Sequence, residues 1–415
     1  MLLAAQAFAD GTVNAFLASL RPSDIVLLLA TLPLLAATGY LLVLTVCSGR
    51  TARLPADDST RFDIVVPAHN EASGIGATVA SLREMTYPTD RFRILVVADN
   101  CTDDTGQRAR DAGAQVLERS HATDRGKGYA LAHAYAHSLA DGFAQMVVVV
   151  DADTSVSPNL LAAFSSRFVR GAQAVQAEYG VRNANASWRT RLMVLALTMF
   201  HTVRSLGRER LGLSCGLRGN GMGFSSDLLR RVPPRAFSIV EDVEYGVALG
   251  LACTRVEYVH DAEVRGDMPV TEAASRTQRE RWEGGRLALI KSLVPPLLRA
   301  AVHRGGAIPL DLALDLLVPP LTLLAGGVML GVLLAGGGVL AGAVSVAAAT
   351  PMMLCAAFLA AYVLRGAVLS GGGVRVIGDL AWAPVYAVWK VSVLLRPRRR
   401  SGEWVRTARS DETVP

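Results

Sequence analysis

Charge is what this 415-residue chain has least of: charged residues make up 19% of it, against 51% hydrophobic, with a mean hydropathy of +0.33. Soluble globular proteins carry about 25% charged residues. The shortfall excludes a disordered chain, which needs low hydrophobicity and high charge, and argues against a purely soluble protein. Lysine is scarcer still: of 42 basic residues only Lys127, Lys291 and Lys390 are lysines. Cysteine is limited to Cys47, Cys101, Cys215, Cys253 and Cys355, odd in number and without a CxxC pair. That excludes a disulfide framework or a zinc site of the usual spacing and reads as small buried hydrophobes. No GxxxxGK[ST] phosphate loop is present. Gly219-Asn220-Gly221-Met222-Gly223 lies outside any first βαβ unit, so dinucleotide binding is rejected and the segment reads as a close-approach loop or an ordinary turn.

The apolar residues are concentrated in blocks. Ile25 to Cys47 is almost continuously apolar and long enough to cross a bilayer of about 30 Å. It lacks a basic region before it and outruns a signal-peptide core, so it reads as an uncleaved anchor. Arg50 and Arg53 place the next segment in the cytoplasm by the positive-inside rule. Past Pro309 the chain turns apolar again. Pro309–Leu334 and Val339–Leu364 each read as a spanning helix, separated by Gly336-Gly337-Gly338. Val374–Leu395 is a weaker candidate, carrying Asp379, Pro384 and Lys390. It is favoured as interfacial or re-entrant, because intramembrane charge is expensive and a third crossing would put the Arg396–Arg400 cluster outside. Leu287–Val302, broken by Lys291, Pro295, Pro296 and Arg299, reads as a helix lying along the membrane. The expected organisation is a membrane-anchored N-terminal region (1–50), a cytoplasmic domain (51–286), an interfacial helix (287–305), C-terminal membrane helices (306–395) and a basic tail (396–415). The last twenty residues hold six Arg and three acids, half of the net +6, which fits anionic lipid better than nucleic acid.

Between the apolar blocks, Phe62–Val66, Ile94–Ala98 and Met146–Val150 are short Val/Ile-rich runs, each separated from the next by a helical pattern. That is the pattern of parallel strands buried on both faces. Each run ends in a polar cluster: Pro67-Ala68-His69-Asn70-Glu71, Asp99-Asn100 and Asp151-Ala152-Asp153. Ligands of open α/β sheets bind outside the carboxyl ends of the strands, so the three clusters imply one shared site. Asp151 and Asp153, one residue apart after a buried strand, suit a hard divalent cation and the diphosphate it binds; a capped turn is the plainer alternative. Arg125-Gly126-Lys127-Gly128 before a helix reads as a secondary anion contact. Glu241-Asp242, acids amid apolar residues, are a candidate base or simply a solvated helix start. Gln278, Arg281 and Trp282 share one helix face, fit for phosphate, sugar hydroxyls and a sugar ring. Trp188–Phe200 is a further amphipathic stretch, and His69 suits hydrogen bonding better than metal ligation.

Taken in order, Pro67-Ala68-His69-Asn70-Glu71, Asp99, Asp151-Ala152-Asp153, Glu241-Asp242 and Gln278-x-x-Arg281-Trp282 resemble the family-2 glycosyltransferases of the membrane-bound, polysaccharide-making branch. The resemblance covers about Phe62 to Trp282. It implies an α/β nucleotide-sugar-binding domain of the GT-A type joined to α-helical transmembrane segments, and an inverting, metal-dependent transfer from a nucleotide sugar, UDP-linked by resemblance. By that match Pro67, Glu71 and Asp99 contact the nucleotide, with Lys127 near its diphosphate. Asp151 contacts the nucleotide and shares with Asp153 a Mg²⁺ or Mn²⁺ ion. Asp242 is the general base, while Glu241, Gln278, Arg281 and Trp282 bind the acceptor end and the diphosphate region. The family often has Tyr at His69 and Thr at Val240; neither departure touches a carboxylate. The implied partners are the donor, a polysaccharide or lipid-linked acceptor, membrane lipids and an export machinery, with the chain multi-pass in the inner membrane. A non-catalytic membrane scaffold is the contrasting reading, opposed by the intact carboxylates. A transporter fits poorly, since too few segments span.

Overall fold

The computed structural model describes residues 20–185, 187–235, 238, 240–267 and 286–382. The chain divides into two units, Met1–Thr45 with Val318–Arg365, and Val46–Leu317 with Gly366–Pro415.

The first unit is built from apolar helices. Pro22–Cys47 (α1), Leu321–Leu340 (α12) and Val346–Leu369 (α13) are long and apolar enough to cross a membrane, with mean hydropathy of 2.2, 2.1 and 2.0. Thr31, Thr38 and Thr45 return their hydroxyl protons to carbonyls one turn back, so α1 exposes no unsatisfied donor there. Asp24, fully buried at the start of α1, accepts from the backbone N–H of Ser345 at 2.8 Å. The expected break at Gly336–Gly338 falls one turn later: α12 runs through the glycines and ends at Leu340.

The second unit carries an eight-stranded sheet in the order β3-β2-β1-β4-β7-β6-β8-β5. Its strands are Phe62–Ala68 (β1), Phe92–Asp99 (β2), Gln115–Arg119 (β3), Met146–Val149 (β4), Ser155–Val156 (β5), Ala174–Val181 (β6), Met222–Ser225 (β7) and Val256–Gly266 (β8). β1, β2 and β4 are parallel, as the three apolar runs predict. Those runs are continuous because both faces are covered. Ile64, Val66, Val96 and Val148 pack with Phe164 on one side, and Val65, Val97, Val147 and Val149 with Leu206 and Phe224 on the other. The covering helices include Ile75–Arg83 (α2), Thr105–Asp111 (α3), Lys127–Asp141 (α4) and Leu160–Phe168 (α5). β7 reverses the sheet by pairing antiparallel with β4, which brings the Gly-rich segment before it to the carboxyl end of β4.

The core of the sheet also takes in charge. Asp63 of β1 is fully buried and takes two bonds from Arg93, at 2.8 and 2.9 Å, and one from Ser138 at 2.6 Å. Of the five cysteines, none is in a disulfide; Cys215 and Cys355 are buried as expected, but Cys253 is exposed on a left-handed turn.

The chain from Trp188 to Leu197 (α6), through a π-helical turn at Thr198–Val203, to Arg204–Arg210 (α7) is one helical run. Ser226–Arg231 (α8) follows β7, and Glu241–Leu251 (α9) opens on the two adjacent acids. Arg286–Arg304 (α10) is the helix expected to lie along the membrane. Its Val294 and Leu297 pack against Val247 of α9 and Leu312, while Leu298 and Val302 stay exposed.

Pro309–Leu334 is not one spanning helix. It splits at Val318-Pro319-Pro320 into Ala307–Leu317 (α11) and α12, since proline cannot continue the hydrogen-bond ladder. α11 belongs to the sheet-bearing unit, where Asp311 and Asp315, one turn apart, meet arginines of α7. Arg208 lies 2.8 Å from Asp311 and 2.7 Å from Asp315, and Arg204 lies 2.9 Å from Asp315. Arg208 is fully buried. Removing one partner of such a cluster strands charge: Arg208→Met is expected to lower the unfolding free energy by about 3–5 kcal/mol. Replacing Asp311 with Leu alongside it is expected to recover most of that, read from denaturant midpoints of the detergent-solubilised chain. In the Val374–Leu395 region, Gly373–Asp379 (α14) is a short helix whose Asp379 pairs with Arg191; residues 383–395 lie outside the described ones.

Candidate active site

β2, β1 and β4 are consecutive in the sheet, so the polar clusters that end them leave its carboxyl edge side by side. The β1 and β2 ends are tied to each other. His69 donates from Nδ1 to the Asp99 carbonyl at 2.7 Å. The Glu71 N–H donates to Thr105 Oγ1 at 2.8 Å, and the Thr102 N–H to Asn70 Oδ1 at 2.8 Å. Asn70 and Asn100 both adopt left-handed backbone, which Asn tolerates best among non-glycine residues. The His69 contact is the hydrogen bond expected of it. Pro67 sits past the last residue of β1 that pairs with β4, so its missing N–H costs no bond on that side. The Asp99 carboxylate is nearly buried and accepts from Arg119 at 2.6 Å.

The β4 end holds the densest charge. Lys127, first residue of α4 after a left-handed Gly126, reaches Asp151 Oδ1 at 2.6 Å and the Gly219 carbonyl at 2.6 Å. Its Nζ is 3.8 Å from Glu241 Oε1. Asp242 stands beside it: a Cβ placed on Gly219 lies 3.4 Å from Asp242 Oδ2 and 3.6 Å from Lys127 Nζ. Lys127, Asp151, Gly219, Glu241 and Asp242 thus form one cluster drawn from four places in the chain. Glu241 and Asp242 do begin a helix, and both are half-buried there. Burial and its carboxylate neighbours push Glu241 up to about 7, and burial raises Asp242 as well, opposed by Lys127 and Arg218. The three carboxylates hold the Lys127 ammonium well above its ordinary value, so it stays charged.

The residues that shape this cluster take their roles from contacts distant in the sequence. Asn220 is fully buried and brackets the acidic turn: its Oδ1 accepts from the Asp151 N–H at 3.1 Å and its Nδ2 donates to Thr154 Oγ1 at 2.8 Å. Gln176 of β6, also fully buried, donates to the Asn220 carbonyl at 2.8 Å and accepts from the Arg218 N–H at 2.9 Å. Gly221 adopts φ +67°, and a Cβ there would lie 2.7 Å from Val264, so only glycine lets the loop sit this close to β8. The GNG signal in the sequence marked this loop without revealing its partners.

Asp151 and Asp153 are oxygen donors of the kind that hold Mg²⁺ or Mn²⁺ with one or two carboxylates and leave the remaining positions to phosphates and water. No cluster of three or more His, Cys, Asp or Glu side chains that could hold a metal ion occurs among the described residues. Gln278, Arg281 and Trp282 lie outside the described residues.

A mixed sheet of this order, with an acidic turn at the end of β4, defines a GT-A-like fold. Residues 60–285 match the family described as Glycosyltransferase like family 2, and the chain belongs to that family: it is a glycosyltransferase. Among relatives it is 24% identical over 260 residues to the probable glucomannan 4-beta-mannosyltransferase 14 of Arabidopsis thaliana, covering 59% of this chain and 48% of that protein. It is 28% identical over 232 residues to the beta-monoglucosyldiacylglycerol synthase of Synechocystis sp., covering 54% and 47%. The chain thus spans about half the length of the curated relatives it matches. Among solved structures, the mannosyltransferase PcManGT of Pyrobaculum calidifontis, in complex with GDP-Man and Mn²⁺, aligns over 83% of this chain and 98% of its own. Its TM-score is 0.53 at 19% identity, a likeness of fold.

Proposed function

We propose that the protein is a membrane-bound, inverting glycosyltransferase that moves a sugar from a nucleotide sugar to a hydroxyl of a growing polysaccharide. The observation that carries this reading is the convergence of Lys127, Asp151, Glu241 and Asp242 at the carboxyl end of β4. In this reading Pro67, Glu71 and Asp99 face the nucleoside, Asp151 and Asp153 hold the divalent cation, and Lys127 supplies a fixed positive charge near the diphosphate. A bound cation would neutralise charge on the departing diphosphate. Asp242 takes the proton of the acceptor hydroxyl as the acceptor oxygen bonds to the sugar's anomeric carbon. The bond from that carbon to the diphosphate oxygen breaks, and its electron pair leaves with the nucleoside diphosphate. Attack from the face opposite the leaving group inverts the centre. Glu241, Gln278, Arg281 and Trp282 bind the acceptor end.

Three helices of membrane-spanning length support a membrane setting, with the sheet-bearing unit on the Arg50 and Arg53 side. The mannosyl relatives and the GDP-Man complex put GDP-mannose beside UDP-sugars as donors to test. A second reading, a lipid-linked or lipid acceptor, is favoured by the Synechocystis relative, whose name describes a glycosylated diacylglycerol. Supplying labelled donor to membranes separates them: label left in the aqueous polymer supports the first, and label drawn into organic solvent the second.

The acids also set a pH dependence. Asp242 must be ionised to accept a proton, and its pKa is raised, so transfer should fall on acidification. Its neighbour Glu241 titrates near 7 and repels it when charged, so the two behave as a coupled pair. Glu241→Gln removes that repulsion, lowers the pKa of Asp242 and is expected to move the acid limb of the kcat profile to lower pH. A limb left in place or moved upward contradicts the coupling.

A further inference from the structure

The turn after β4 is gripped from two sides through the residues that face inward. Ala152 and Thr154 are buried, whereas Asp151 and Asp153 stay half-buried and face outward. From the loop before β7, the Asn220 side chain spans the turn: its Oδ1 accepts from the Asp151 N–H at 3.1 Å and its Nδ2 donates to Thr154 Oγ1 at 2.8 Å. The backbone closes the same interval, the Thr154 N–H donating to the Asp151 carbonyl at 3.2 Å. From α2, the Thr78 hydroxyl donates to the Ala152 carbonyl at 2.8 Å. One turn further along α2, Ser81 Oγ accepts from the Val156 N–H at 3.0 Å, where β5 pairs with β8.

A helical threonine commonly returns its hydroxyl proton to a carbonyl one turn back, as three threonines of α1 do. Thr78 gives it to Ala152 instead, in a buried bond. Neither anchor takes a carboxylate oxygen of Asp151 or Asp153. Both anchors rest on other parts of the site. The Asn220 carbonyl accepts from Gln176 at 2.8 Å, and α2 starts on the β1 cluster, where the Gly74 and Ile75 N–H groups both donate to the Glu71 carbonyl at 3.0 Å. A small, hard cation such as Mg²⁺ demands near-octahedral geometry, and two carboxylates fill only a small part of its shell, so their spacing has to be set before the ion arrives. Buried partners that orient the ligands of a metal supply that setting.

We propose that Asn220 and Thr78 are positioning residues, which preset the spacing and direction of Asp151 and Asp153 for one divalent cation and favour a small ion over a larger one. The inference rests on the transferase reading, in which Asp151 and Asp153 hold the cation, and deepens it by naming what makes the pair selective. A turn freed at either anchor still offers two carboxylates. It should take Ca²⁺ more nearly as well as Mg²⁺ or Mn²⁺, since Ca²⁺ accepts flexible coordination.

The test titrates Mn²⁺ into the full chain in detergent, with UDP or GDP present and the same nucleotide without protein as the blank. Free Mn²⁺ is followed by electron paramagnetic resonance, and Ca²⁺ and Mg²⁺ are added as competitors. Asn220→Ala and Thr78→Val are expected to weaken Mn²⁺ binding about 10- to 100-fold, the usual effect of removing a partner that orients a metal ligand, and to narrow the preference over Ca²⁺. Thr78→Ser keeps the hydroxyl and is expected to bind as the unmodified chain does; the Thr78 pair carries the test should Asn220→Ala fail to fold. Thr60→Val removes a comparably buried hydroxyl bond, to Ser165 at 2.6 Å, just before β1 at its amino end, and is expected to lower stability while leaving Mn²⁺ affinity alone. Unchanged Mn²⁺ affinity in both Asn220→Ala and Thr78→Val overturns the proposal, as does an equal loss in Thr60→Val or in Thr78→Ser. Failure of the unmodified chain to bind Mn²⁺ with either nucleotide sinks the reading of Asp151 and Asp153 as cation ligands, whereas binding that the variants keep sinks only the positioning role.

Discussion

Asp242→Asn is expected to reduce sugar transfer about 10²–10⁴-fold, the usual contribution of a positioned general base, while leaving donor affinity within a few-fold of the unmodified chain. The substitution keeps the side chain's shape. Asp242 Oδ1 accepts from the Val243 N–H at 2.9 Å, a bond that the Asn carbonyl oxygen can also accept, so α9 should start as before. What is lost is the carboxylate's ability to take a proton. The assay is single-turnover transfer at saturating donor, with donor binding measured separately by titration. A fall in affinity that matches the fall in rate would place Asp242 in donor binding and remove it as the base.

Lys127→Met should produce the second large effect. Its ammonium is the charge that holds Asp151, Glu241 and Asp242 together, at 2.6 Å from Asp151 and 3.8 Å from Glu241. Truncating one member of a desolvated charge group costs about 2–5 kcal/mol, much of it from leaving the others unpaired. At 1.36 kcal/mol per tenfold, that is roughly 30- to 5000-fold in kcat/KM for the donor. The sign of the pH effect is fixed as well. Without the ammonium the carboxylates lose the partner that lowers their pKa values, so the acid limb of the rate profile should move to higher pH, opposite to Glu241→Gln. Opposite shifts from two neighbouring substitutions are hard to obtain from misfolding. A Lys127→Met variant with unchanged kcat/KM and an unmoved limb would show that the lysine is only a helix-start residue.

How far the sequence foretells the structure differs from element to element. β1, β2 and β4 are legible because both faces are buried and the runs are therefore continuously apolar. Their polar ends are legible because carboxylates and amides stand out against such runs. Glu241-Asp242 is ambiguous: a helix start and a partly buried acid pair have the same local sequence, and only Lys127 from α4 and Gly219 from the loop before β7 decide between them. Gln176 carries no such signal, and the GNG segment reveals nothing of Asn220's partners. Their roles come from the antiparallel β4–β7 pairing and the β6–β7 pairing, contacts between residues dozens of positions apart. The split of Pro309–Leu334 is visible in principle. Asp311 and Asp315 one turn apart, followed by Pro319-Pro320, mark a short helix with a charged face. The surrounding leucines hide it, because a helix packed on protein and one packed on lipid share the same apolar residues. α10 shows both kinds of face: its Val294 and Leu297 are covered by α9 and α11, while Leu298 and Val302 stay exposed.

A donor screen decides whether the carboxyl ends of β1, β2 and β4 form a sugar-transfer site. The purified full-length chain, with Mg²⁺ or Mn²⁺, is offered UDP-linked and GDP-linked sugars, and release of nucleoside diphosphate is followed with and without acceptor-containing membrane extract. Cation-dependent release from one donor is expected, increased by the extract and lost when Asp153 is replaced with Ala. No release from any donor under either cation, or release that the Asp153→Ala variant retains in full, would contradict a transfer site there.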